Sequence, residues 1–304
     1  PDDLTYAEHA FDIIAKAAEL AKANHPFALI TSLAIEGGAA REVGSLAIVE
    51  QDGAMTGYLS NGCIDRDIQH HALDALVSQK KKLIRYGDGS RYVDLKLPCG
   101  GALTVLIDPD PDKAAILNAE AALRARRTSS LAFESPAGEA AAISKEFEYK
   151  PRQRLVLAGR GAIFRSMAQI GKATGYEVYG LSPELGDLDA VRPALDAEPV
   201  HLTSPNSETP LDMLDAHSAF LTLFHDHDWE PALLRAALDT PARFIGSLGS
   251  RRTHDMRKET LQQMKVPESS ISRLRGPIGV VPSLRDASSI AVSALAEIVA
   301  EFRS

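Results

Sequence analysis

The chain has 304 residues, a length that suits two domains, and its 45% hydrophobic and 24% charged residues are ordinary globular proportions. Its 33 basic against 41 acidic side chains leave a net charge of −8, which argues against wholesale binding to nucleic acid or an anionic membrane. No apolar run is long enough to span a bilayer and the N-terminus does not read as a secretion signal. Two cysteines, Cys63 and Cys99, are too few for a disulfide framework, so a cytoplasmic chain with free thiols is expected.

In chain order, residues 4–23 read as an amphipathic helix, with Leu4, Phe11, Ile14, Ala18 and Ala21 on one face, a Thr5/Glu8 capping box and a stop at Asn24-His25-Pro26. A buried strand follows at 27–35, then strands at 44–50 and 55–60 around the turn Gln51-Asp52-Gly53-Ala54. Ile64, Ile68, Ala72 and Leu76 mark a helix over 64–79. Short strands flank Gly87-Asp88-Gly89, another spans 102–108, and a helix covers about 111–127. Residues 129–152 read as a linker marked by Pro151.

Both thiols sit beside glycines. Cys63 precedes a helix, whose N-terminal N–H groups favour anions and lower thiol pKa values; Cys99 precedes Gly100-Gly101, where backbone can approach a ligand. Two readings stay open: small residues in tight turns, or thiolates facing one soft metal or sulfur-bearing ligand.

From 153 the pattern alternates: strands at 154–159, 176–182, 219–224 and 243–249, helices from Gly161 to Thr174, at 229–238, at 250–264 and at about 284–302. The expected fold is therefore an N-terminal α+β domain over 1–128 followed by a Rossmann-like, doubly wound parallel-sheet domain over 153–304, with its site beyond the carboxyl ends of the strands. Three segments fall there. Gly159-Arg160-Gly161 and Gly249-Ser250-Arg251-Arg252 each open a helix and suit a phosphate. His225 and His227, with Asp226 and Asp228, are either metal ligands or solvated loop groups; the loop reading is preferred for His227, and His225 stays open. The dinucleotide fingerprint is incomplete: its third glycine is Phe164, and Ser182 stands where a ribose-holding acid belongs, which makes NAD(P) an unfavoured cofactor.

Asn61-Gly62-Cys63-Ile64, Leu97-Pro98-Cys99-Gly100-Gly101, Ala158-Gly159-Arg160-Gly161, His225-Asp226-His227, IGSLGSRRT (245–253), GPIGV (276–280) and ALAEIVAEF (294–302), in this order, resemble the XdhC/CoxI family, the accessory factors of xanthine dehydrogenase and related molybdenum hydroxylases. The resemblance implies a dimeric chaperone that binds molybdenum cofactor, protects it during sulfuration by a cysteine desulfurase-type partner and inserts it into a client hydroxylase. It implies cofactor-binding roles for Gly62, Cys63, Cys99, Gly100, Gly101, Gly159, Gly161, His225, Gly249, Ser250 and Arg251, with Cys63 and Cys99 contacting molybdenum or cofactor sulfur, and no catalytic residue. The chain departs from the family pattern at Asn61, a position usually glycine, at Gly37 and Gly38, where prolines are common, and at Ser182. The competing readings are an NAD(P)-dependent oxidoreductase, a nucleotide- or pterin-transferring enzyme using Asp226 or Asp228 to hold Mg²⁺, and an interaction protein docking through Lys80, Lys81, Lys82 and Arg85.

Overall fold

A computed structural model describes residues 4–60, 62–87, 101–136, 143–206, 209–224 and 228–303. The chain divides into two compact units, Pro1–Pro151 and Arg152–Ser304.

In the first unit the elements are β1 (Leu4–Thr5), α1 (Ala10–Lys22), β2 (Phe27–Glu36), β3 (Leu46–Glu50), β4 (Met55–Gly57), α2 (Asp65–Ser78), β5 (Lys82–Gly87), β6 (Ala102–Asp108), α3 (Lys113–Arg124), β7 (Ser129–Glu134) and β8 (Ser144–Tyr149). One sheet runs in the order β1-β4-β3-β2-β6-β5, antiparallel except for the β1–β4 pair. Alternation along β2 sends Phe27, Leu29 and Leu33 to the side covered by α1 and α3, and Ala28 and Ile30 to the side covered by α2. The expected strand over 92–97 lies outside the described residues.

Two sequence expectations are corrected here. The first helix starts six residues late, because Leu4–Thr5 pairs with β4 as a strand and His9 caps the helix, its Nδ1 accepting from Phe11 N at 3.2 Å. Glu8, assigned to a capping box, instead accepts a hydrogen bond from the Tyr58 hydroxyl at 2.5 Å. The segment 129–152 holds the β7–β8 hairpin, whose Leu131, Phe133 and Tyr149 pack into the core beside α1 and α3. Buried Tyr149 donates to the Gly44 carbonyl at 2.9 Å, tying the hairpin to the first unit, and burial raises its hydroxyl pKa.

The second unit contains β9 (Arg154–Gly159), α4 (Gly161–Ala173), β10 (Glu177–Ser182), α5 (Leu185–Val191), β11 (Val200–His201), β12 (Ser218–Leu223), α6 (Glu230–Leu238), β13 (Phe244–Ser247), α7 (Arg251–Gln263), α8 (Glu268–Ile271), β14 (Leu274–Arg275) and α9 (Ala287–Arg303). Its sheet is entirely parallel, in the order β11-β10-β9-β12-β13-β14. This is the doubly wound arrangement, and the strand order reverses between β9 and β12. Leu155 and Leu157 face α4, α5 and α9; Val156 and Ala158 face α6, α7 and α8. Phe164, the residue that breaks the dinucleotide fingerprint, is fully buried in the first of these layers, where such a side chain contributes about 1.5–3 kcal/mol.

Candidate functional site

The first unit presents Cys63 on a loop built around a buried carboxylate. Asp65, the first residue of α2, is 1% exposed. Its Oδ1 accepts from Leu59 N at 2.8 Å and Ser60 N at 3.1 Å; its Oδ2 accepts from Gly62 N at 2.6 Å and the Ser60 hydroxyl at 2.9 Å. Ser60 Oγ in turn accepts from Ile64 N at 2.8 Å. The loop 59–64 is thus wound onto its own anion, and a carboxylate at a helix N-terminus also gains from the helix dipole. Gly62 is required by its φ of +100°. Cys63 is left exposed at the rim. The expectation that the start of α2 offers its charge to the thiol is modified accordingly, since Asp65 already occupies that position.

Gly101 answers to the chain's own backbone: a Cβ there would come within 2.2 Å of the Gly38 carbonyl oxygen and 2.7 Å of that of Glu36. Cys99 and Gly100, like Asn61, lie outside the described residues, as do His225, Asp226 and His227. Among the described residues no three His, Cys, Asp or Glu side chains converge as a metal site would require.

In the second unit the glycine turn between β9 and α4 is closed. A Cβ on Gly159 would meet Leu223 Cβ at 2.6 Å and its carbonyl oxygen at 2.8 Å, so this glycine lets two strands approach. Gly161, at φ +76°, donates its N–H to Asp187 Oδ2 at 2.6 Å. Asp187 comes from α5, is 5% exposed and also accepts from Arg165 Nε at 2.6 Å. Arg160, on this turn, pairs at 3.4 Å with Glu184, the residue before α5. An internal carboxylate therefore stands where the sequence pattern led one to expect a phosphate at Gly159-Arg160-Gly161.

The turn between β13 and α7 is built differently. Gly249 has φ +132°, Ser250 caps α7 by accepting from Thr253 N at 3.2 Å, and Arg251 is the first helical residue. These three residues line a cavity of about 650 Å³ together with Phe224, Ile278 and Leu284, at the carboxyl ends of β12 and β13. Beneath it lies a buried polar chain that sequence reasoning missed. Arg257 grips Glu230 with two hydrogen bonds, Nε to Oε2 at 2.7 Å and Nη2 to Oε1 at 2.9 Å. Thr222 donates to Glu230 Oε1 at 3.0 Å, and Ser247 lies 2.7 Å from Thr222 Oγ1. Glu230 and Arg257 are 1% and 6% exposed. Arg257 Nη1 has no hydrogen-bond partner among the described residues, although it is buried. A buried donor left unmade costs about 1–3 kcal/mol, and more for a charged group.

His254, Arg257 and Leu261 form the buried face of α7. His254 Nδ1 is buried without a partner among the described residues, against Gly276, where a Cβ would come within 2.3 Å of it. Burial, then the nearby charges of Lys258 and Arg257, hold the His254 pKa below its ordinary value.

The fold is that of a two-unit α/β protein, with an exposed thiol on one unit and, on the other, a cavity beside the start of α7. The XdhC Rossmann domain matches residues 155–298 and the XdhC and CoxI family domain matches residues 20–87; the chain belongs to this family. It is 29% identical over 281 residues to the molybdenum cofactor insertion chaperone PaoD of Escherichia coli (strain K12), covering 89% of this chain and 81% of that protein. It is 24% identical over 294 residues to the uncharacterized protein YqeB of the same organism, spanning 95% of this chain and 46% of YqeB. A solved structure described as a xanthine dehydrogenase from Bacillus halodurans shares the fold with a TM-score of 0.75, at 19% identity and 95% coverage of both chains.

Two outcomes follow. Asp65→Asn replaces acceptor oxygen by an amide donor facing N–H groups, so it should destabilise the protein by about 2–4 kcal/mol in urea unfolding and change the rate at which Cys63 is alkylated; an unchanged rate would show that Asp65 does not set the loop. For His254 the sign is fixed by its lowered pKa. The unfolded imidazole takes a proton below about pH 6.5 while the folded one resists. Stability should therefore fall as pH drops from about 6.5 through the lower folded value, and His254→Gln should flatten that part of the profile.

Proposed function

We propose that this protein carries molybdenum cofactor and inserts it into a molybdenum hydroxylase of the xanthine dehydrogenase or aldehyde oxidase type. The observation that carries the reading is the likeness, over 89% of the chain, to a molybdenum cofactor insertion chaperone. The chemistry of the two units supports it. The cofactor supplies a soft molybdenum–sulfur end and an anionic phosphate end. Taken by itself, the first unit offers the exposed thiol of Cys63 to a soft metal or sulfur group, because these prefer thiolates. Taken by itself, the second unit offers an anionic phosphate the Gly249-Ser250-Arg251 turn, beside a cavity that Arg257 also lines. Gly62 holds the thiol loop through its left-handed φ. On this reading Gly159 and Gly161 shape the sheet edge.

The protein would hold the cofactor away from water during sulfuration by a desulfurase-type partner, then release it to the client, acting as a cytoplasmic homodimer. An NAD(P)-dependent oxidoreductase is disfavoured because Asp187 takes the Gly161 amide that a pyrophosphate would need. The test is retention. Protein mixed anaerobically with molybdenum cofactor is desalted, and its pterin is oxidised and quantified by fluorescence. Wild type should retain close to one pterin per chain, and Cys63→Ala should lose most of it. No pterin on a folded wild type would sink cofactor carriage; full retention by Cys63→Ala with Cys99→Ala would remove the thiols from the reading.

A further inference from the structure

Arg257 is the feature that structure alone brings out. Its guanidinium is held from one side by Glu230, which is itself fixed by Thr222 and, through it, by Ser247. The pair cancels in charge and leaves one donor, Nη1, buried and without a partner among the described residues, on a residue that lines the cavity. Such a fork is aligned before any ligand arrives, so little order is lost on binding.

The Gly249 turn lies directly beside this donor: a Cβ on Gly249 would stand in ordinary contact with Arg257 Nη1, at 3.4 Å, and press more tightly on Thr253, at 3.3 Å. At the start of α7, Thr253 N and His254 N bond to Ser250 within the turn. The N–H groups of Arg251 and Arg252 keep the outward direction of a helix start. A tetrahedral anion has enough oxygens to meet these amides and Nη1 together, which a single carboxylate does poorly.

The cavity is larger than a phosphate needs. At about 650 Å³ it falls in the range that holds small organic ligands, and Phe224, Ile278, Val281 and Leu284 give it an apolar side. We propose that Arg257 is the specificity-determining residue of an organic-phosphate site in the second unit: Nη1 takes a phosphate oxygen at the N-terminus of α7 while the organic part of the ligand lies along the apolar side. This deepens the carrier reading and rests on it for the identity of the natural ligand, but the site itself is testable without molybdenum.

The probe is inorganic pyrophosphate, titrated calorimetrically into the full chain. Trp229, the one tryptophan, gives a second signal because it stacks on the cavity residue Phe224 with ring centroids 6.4 Å apart. Wild type should show one saturable site per chain. Arg257→Lys keeps a cation for Glu230 but loses the fork, and should bind about 10- to 100-fold more weakly, the range for losing one charge-assisted hydrogen bond. Arg165→Gln, at the closed Gly161 turn, should bind like wild type. Absence of saturable binding to folded wild type, or Arg257→Lys binding equally well, would overturn the proposal. Should Arg257→Lys fail to fold, nitrogen-15 spectra of the wild-type arginine side chains decide: the Arg257 Nη resonances shift at saturation if the contact is made and stay still if it is not. Pyrophosphate binding with no retention of molybdenum cofactor would leave this site standing and sink the carrier reading. Cofactor retention with full pyrophosphate binding by Arg257→Lys would sink this site alone.

Discussion

The second unit is organised around the buried ion pair of Arg257 and Glu230. Removing two charges from water is expensive, and such pairs are weak contributors to net stability unless every hydrogen bond is made. Here Glu230 is satisfied by Arg257 and Thr222, while Arg257 keeps one donor unmade. The pair joins α6 to α7, and through Thr222 and Ser247 it reaches the ends of β12 and β13. It thereby fixes the two elements whose turns border the cavity. A charge pair with one arm left unmatched is poorly explained by stability and well explained by an anion that completes it.

Three glycine-associated helix starts were candidates for an anion, and the chain treats them differently. At α2 the anion is Asp65, held by three backbone N–H groups and a serine hydroxyl. At α4 it is Asp187, which takes the Gly161 amide and the Arg165 guanidinium. At α7 the cap among the described residues is the Ser250 hydroxyl, and Arg251 and the Arg257 donor without a described partner lie beside it. Electrostatics alone therefore ranks α7 first for a foreign phosphate.

Much of this architecture was legible in the sequence. The apolar runs of β9, β12 and β13 and the helical spacing of α2, α4 and α7 gave both fold classes, because periodicity records which face is buried. The β7–β8 hairpin was not legible, since Ser129–Glu134 buries only Leu131 and Phe133 and its polar half resembles a connector. Gly249, Ser250 and Arg251 were readable as an anion turn. Gly101 and Gly159 were readable only as close approaches, and a glycine does not say whether the approaching group is a ligand or the chain itself. Asp187 was hidden by the 26 residues that separate it from Gly161. Arg257 was hidden by its charge, which in a helix reads as a solvated face, although its spacing from His254 and Leu261 matched the buried side.

The central claim is that the phosphate end of the ligand sits at α7 and that the α4 turn stays closed. The most direct measurement is an anaerobic crystal structure of the protein with molybdenum cofactor bound. The account predicts phosphate oxygens within hydrogen-bonding distance of Arg257 Nη1 and the Arg251 amide, with Asp187 still on Gly161 N. Phosphate on the Gly161 amide, with Asp187 displaced and the α7 turn empty, would contradict it.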